Sequence, residues 1–269
     1  HRRSSAASDV YKRQGNDGVA DDVHEYVLST PYDISTATFR VGFSTLSENK
    51  TLRQIQFNKD GSKMFVSGRD PGQNPNANKI YQYSLSTNFD LSTATFNEIE
   101  FQANTANVGI TKSLYGFAFN NDGTMMFLSD GSTDGKSTEK VYQLSLETAF
   151  DLSGSITVIR SVDLEALQDT VEPVNGETEP SGIAFNQDGT RMFLIGQKGN
   201  DVNQYTLSVG FNISTASFDG GLHLGNSNPA GIALSPSGLK MFITTDQGMG
   251  DKIREFHLPC PFNFFAGKC

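Results

Sequence analysis

The sequence predicts an all-β fold, a β-propeller of four-stranded antiparallel blades, on three observations. A phrase of the form F-N-x-D-G-x-x-M-F stands at 57–65, 119–127 and 185–193, and a worn copy, L-S-P-S-G-L-K-M-F, at 234–242. A second phrase, alternating apolar and polar residues, follows each copy at 80–85, 141–146, 202–207 and 253–258. The Asp-Gly or Ser-Gly turns lie 62, 66 and 49 residues apart. A unit repeated at this length cannot bury its apolar face alone, so neighbours must share an interior. Solenoid coils have to stack in register and tolerate such uneven spacing poorly, whereas radial blades absorb extra residues in loops. No helical periodicity competes with the alternation.

Residues 1–14, HRRSSAASDVYKRQ, share nothing with the repeats. They resemble translated sequencing-adapter read-through, and residues 1–21 are expected to be a non-native or disordered segment. On that reading an export signal is not observable here. Residues 22–44 supply the third and fourth strands of a partial blade.

Complete blades are expected at about 52–101, 114–164 and 181–224. In the last, 181–185 is a strand and 186–190 a turn, because Gly189 after Asp188 accepts the positive φ of a tight hairpin. Residues 191–196, 202–207 and 216–223 are the second, third and fourth strands. Residues 230–258 give three strands of a second partial blade, and 259–269 form a tail containing Cys260 and Cys269. Seventeen strands are one more than a four-bladed ring holds. The reading is therefore about four blade equivalents cut from a ring of six to eight blades, with a four-bladed ring closed by the terminal strands as the alternative.

The N-x-D-G-x-x-M-F turn resembles the S-P-D-G turn of YVTN, TolB-like and WD40-like propellers. The larger unit, with its Y-x-L-S and F-D-x-S-T-A-T-F phrases, is similar to uncharacterised repeat proteins of marine bacterial and environmental sequence sets. The likeness covers about residues 22–258 and implies the propeller fold. No Trp-Asp pair and no Y-V-T-N string occurs, so the interaction-hub role of true WD40 proteins does not carry over.

The formal charge is −9, and residues 15–269 hold 17 basic and 29 acidic side chains, a net −12. An acidic surface argues against nucleic acid as a partner. No run of 18 apolar residues exists, so membrane insertion is not expected. No zinc-ligand spacing, G-x-S-x-G elbow or other cofactor motif is present, so no catalytic residue, metal or cofactor is assigned. The near-match to a phosphate loop at 131–137 joins two strands, one residue short between its glycines, and is set aside.

Asp60, Asp122 and Asp188 are read as turn formers, since one carboxylate per blade cannot converge on one ion. The Met-Phe and Tyr positions are read as core. Gly116, Gly182 and Gly231 open three first strands where backbones crowd at the axis. Arg53 breaks that series and is expected to face the channel toward an anion.

The loops after the second strands are the candidate ligand surface, and Asp70, Asp130, Asp201 and Asp246 stand in or beside them. The acidic loop 164–180 is a further candidate rim. Cys260 and Cys269 are expected to form a disulfide sealing the terminus, which points to an oxidising compartment. These readings favour a non-enzymatic scaffold of a secreted or surface protein, binding a protein or glycan through its loops. The alternatives are a propeller hydrolase or lyase acting on polysaccharide, and a structural segment of an adhesin or tail-like fibre.

Overall fold

The computed structural model describes residues 9–14, 22–45, 47, 51–69, 78–103, 108–110, 113–131, 139–167, 180–196, 199–225, 228–245 and 252–265. The chain is an all-β propeller in which five antiparallel sheets follow in chain order. Sheet 1 holds β1 (Asp9–Gln14), β2 (Asp22–Leu28) and β3 (Ala37–Ser44). Sheet 2 holds β4 (Thr51–Phe57), β5 (Lys63–Arg69), β6 (Asn78–Leu85) and β7 (Ala94–Gln102). Sheet 3 holds β8 (Ser113–Phe119), β9 (Met125–Gly131), β10 (Lys140–Leu146) and β11 (Ile156–Asp163). Sheet 4 holds β12 (Pro180–Phe185), β13 (Arg191–Gly196), β14 (Asp201–Leu207) and β15 (Ala216–His223). Sheet 5 holds β16 (Pro229–Leu234), β17 (Lys240–Thr245) and β18 (Lys252–His257). The one described α-helix is a single turn, Leu164–Leu167, and no described helix is long and apolar enough to cross a membrane.

One strand departs from expectation. Asp9–Gln14, assigned to a non-native or disordered segment, runs antiparallel to β2 in the place of a second strand. The physical reason is that a ladder asks for extended backbone and not for a particular sequence, and β2 offers an open edge.

Each turn is built the way its residues dictate. Asp60 Oδ1 accepts from the Ser62 amide at 3.0 Å and from its hydroxyl at 2.6 Å, and Asp122–Thr124 and Asp188–Thr190 repeat the pattern. These bonds favour the charged form, so all three carboxyls titrate below the ordinary carboxylate range. The glycine that follows has φ near 73° and carries an aromatic ring flat against it. A Cβ on Gly61 would meet the Phe89 ring at 2.3 Å, and one on Gly123 would meet Phe150 at 2.1 Å. Phe89, Phe150, Phe211 and Phe262 themselves sit at positive φ, each donating its amide to the carbonyl of its glycine. Tyr32, at φ 58°, is the fifth member of this series. Among the described residues sheet 1 has no first hairpin to place a glycine beneath it.

Between sheets the joins are polar at the turns and apolar inside. Glu25, Gln82, Gln143 and Gln204 each accept a backbone amide of the following sheet or tail, from Leu91, Leu152, Ile213 and Phe264 at 3.0, 2.8, 3.4 and 3.3 Å. Glu255 of sheet 5 accepts the Ile34 amide of sheet 1 at 3.4 Å, so the last sheet meets the first. Four buried clusters fill the joins between sheets 1 and 2, 2 and 3, 3 and 4, and 4 and 5. At about 1.5–3 kcal/mol per large apolar side chain, these clusters dominate stability. Among the described residues no such cluster fills the join between sheets 5 and 1.

Candidate functional site

The join without a cluster holds a cavity of about 460 Å³ between β4, β16–β18 and the Leu28–Tyr32 end of sheet 1. Its position follows from the strand inventory. Sheets 2 to 5 each contribute a first strand at the axis, β4, β8, β12 and β16, and among the described residues sheet 1 contributes none. The walls are the side chains that such a strand covers elsewhere. Phe65, Phe127 and Phe193 are fully buried against the next sheet, yet their counterpart Phe242 is only partly buried. Ile80, Val141 and Val202 are fully buried, while Ile253 is not. Ala118 is buried and Ala233 exposed. On the opposite wall Ile55 is partly uncovered where Phe117 and Ile183 are sealed.

The chemistry of the lining is apolar with a basic fringe. Leu28, Ile55, Phe57, Ile232, Leu234 and Phe242 form the walls, and Arg53 and Lys59 are its charged members. Among the described residues no carboxylate, imidazole, thiol or serine lines it. Such a site takes up an apolar group and excludes water. It offers no pair of carboxylates of the kind glycoside hydrolysis requires.

Of the residues singled out from the sequence, Arg53 is at this cavity, but its place in the strand differs from the expected one. Each first strand carries a β-bulge, at Arg53, Tyr115, Ser181 and Ala230. Ser67 pairs with Gln54 as Ser129 pairs with Gly116, so Gln54, not Arg53, interrupts the glycine series. All four copies carry the bulge, so the aligned position is three residues before Phe57, Phe119, Phe185 and Leu234 and could be counted from the sequence. Gln54 is buried and its Oε1 accepts the Phe117 amide of sheet 3 at 2.8 Å. Glycine is required across from it, because a Cβ on Gly116 would meet the Gly182 Cα at 2.8 Å. The Arg53 guanidinium lies 3.9 Å from the centre of the Tyr115 ring, a cation–π contact between successive bulges.

Asp130 and Asp201 are buried instead of presented to solvent. Asp130 accepts the Lys140 amide at 2.7 Å and the Tyr142 hydroxyl at 3.2 Å. Burial, then the Asp130 charge, raises the Tyr142 phenol above its ordinary value. Asp201 accepts from Asn203 at 3.3 Å, and a Cβ on Gly199 would meet its carboxylate at 2.7 Å. Both aspartates fix the entry into a third strand. Asp70 and Asp246 lie outside the described residues, as do 168–179 of the acidic loop. Cys260 is buried and disulfide-bonded, and Cys269 lies outside the described residues. Among the described residues no cluster of three or more His, Cys, Asp or Glu is placed to hold a metal.

No family model and no curated protein matches this chain. Solved structures share the fold. A candidate 6-phosphogluconolactonase from Bacteroides uniformis aligns at TM-score 0.50 and 15% identity, over 95% of this chain and 66% of that one. A functionally unknown protein from Desulfotomaculum acetoxidans aligns at TM-score 0.49 and 13% identity, over 95% and 63%. The periplasmic gluconolactonase of Pseudomonas aeruginosa aligns at 0.49 and 12%, over 93% and 67%. This chain thus spans under two thirds of the length of the Desulfotomaculum protein. The likeness is one of fold, and it corrects one expectation. The assignment of the chain as no enzyme rested on architecture, and the Bacteroides protein named as a candidate 6-phosphogluconolactonase carries the same architecture.

Proposed function

We propose that this propeller is a binding module that takes a protein or glycan ligand at the open join between sheets 5 and 1. The observation that carries the reading is the uncovered state of Phe242, Ile253 and Ile55, whose counterparts at the filled joins are sealed. Apolar groups left open beside a preformed cavity gain free energy when a ligand covers them. The apolar lining favours a protein ligand, and its aromatic members Phe57, Phe89 and Phe242 also suit the apolar face of a sugar. The buried disulfide at Cys260 supports a secreted or surface setting, where such bonds persist.

The test is a peptide-display library and a glycan array, each probed with the full chain and with its Ala233→Arg variant. Ala233 is exposed, so arginine there blocks the cavity without disturbing a core. Ligands retained by the wild type and lost by the variant support the reading. Capture of nothing, or of ligands indifferent to the variant, overturns it.

A further inference from the structure

The cavity has the shape of something this chain makes four times. The first strands of sheets 3 and 4 send two apolar side chains back onto the preceding sheet and one alanine, Ala118 or Ala184, forward, while β4 has Gln56 at the forward position. Phe119 meets Phe65 of the preceding sheet with ring centres 4.7 Å apart, and Phe185 meets Phe127 at 4.4 Å. Phe242 has the place of Phe65 and Phe127, and among the described residues no first-strand phenylalanine of the following sheet covers it. Ile55 and Phe57 wait on the other side for a small forward-facing residue. Tyr32 lines the same cavity at φ 58°, the conformation in which Phe89, Phe150, Phe211 and Phe262 lie on the glycine of a neighbouring turn. The sheet order leaves β1 at the inner edge of sheet 1, with no strand paired beyond it among the described residues.

We infer that the ligand of this join is an extended strand of the repeat's own first-strand type, reading Gly–apolar–Ala–Phe–Asn–x–Asp–Gly, supplied in addition to the four that this chain already uses. This rests on the binding reading above and names its partner. The incoming phenylalanine packs on Phe242 and its apolar neighbour on Ile253 and Ala233. Its alanine faces Ile55, and its turn glycine slides beneath the Tyr32 ring. The strand's backbone adds to the edge of β1, the usual mode of strand addition to an exposed sheet edge. Pattern and register both favour this occupant, since it continues the series of joins already filled.

The experiment uses the full chain and a synthetic peptide of residues 180–190, PSGIAFNQDGT, followed by fluorescence anisotropy and thermal unfolding. Expected are saturable one-to-one binding and an upward shift of the unfolding midpoint. Affinity should fall at least about tenfold when the peptide carries Phe185→Asp, and likewise when the protein carries Ala233→Arg. A Gly189→Val peptide should also weaken binding, because the side chain strikes Tyr32. Absence of saturable binding, or binding untouched by the Phe185→Asp and Ala233→Arg changes, overturns the inference. If the peptide fails while library peptides or glycans still bind in an Ala233-dependent way, the strand partner falls and the binding module stands. If neither binds, both fall.

Discussion

Lys240 donates its ammonium to the backbone carbonyl of Tyr32 at 2.8 Å, as Lys63 donates to the carbonyl of Phe150 at 2.8 Å. The two lysines hold the same place in their repeats, so sheet 1 stands to sheet 5 as sheet 3 stands to sheet 2. Lys240 also pairs with Glu255 at 2.6 Å. Lys240→Met should cost about 1 kcal/mol, the scale of a partly exposed charged contact. Its mark would be faster amide exchange confined to β2 and β18. An equal change throughout the ring would deny the lysine this local role.

Equivalent phenylalanines should behave unequally. Phe127→Ala empties a sealed site and should cost roughly 3–5 kcal/mol, the range for large-to-small core changes. Phe242→Ala, at the open join, should cost well under half of that. Urea unfolding of the two variants reads the difference directly. Matching losses would mean that the join between sheets 5 and 1 is as full as the others.

The turn glycines are fixed by rings. Gly123→Val must push aside Phe150 and place a β-branched residue at φ 73°, at a cost of roughly 2–4 kcal/mol. Gly109 has the same φ and nothing within 4 Å of its would-be Cβ, so Gly109→Ala should show the backbone strain alone, about 1–2 kcal/mol. Thermal and urea midpoints of the pair separate contact from conformation.

Acid should weaken the fold through its turns. The folded-state pKa values of Asp33, Asp60, Asp122, Asp151 and Asp188 are all depressed, and so is that of Asp90 beside Arg40. A depressed carboxyl contributes stability that is complete above its unfolded value, near pH 4, and is lost as pH falls from there toward the folded value. Unfolding midpoints should therefore decline between about pH 5 and pH 2. The slope should be shallower in an Asp122→Asn, Asp188→Asn double variant, whose side chains do not titrate.

The repeat phrases were enough to read an all-β propeller of antiparallel sheets, because alternation and Asp-Gly turns act locally. The turn role of Asp60, Asp122 and Asp188 was legible for the same reason. Three things were not. The bulges at Arg53 and its equivalents are seen only in the strand pairing, although counting back three residues from Phe57 already aligns Gln54 with Gly116. The positive φ of Phe89 and its relatives follows from a distant glycine, not from local propensity. The cavity stands where, among the described residues, sheet 1 has no first strand, and no single residue in the sequence marks that place. The mismatch in strand count was its one trace.

The five fastenings around the ring are not alike. Those that begin on sheets 2, 3 and 4 use the neutral amides of Gln82, Gln143 and Gln204, while Glu25 and Glu255 carry the two that flank sheet 1. Both glutamates are clamped by cations, Glu25 by Arg40 and Glu255 by Lys240. Dissolved electrolyte shields partly exposed ion pairs and leaves uncharged amide contacts largely alone. Salt should therefore weaken the Lys240–Glu255 pair beside sheet 1, and the Lys63–Asp151 pair between sheets 2 and 3, more than the amide contacts of Gln82, Gln143 and Gln204.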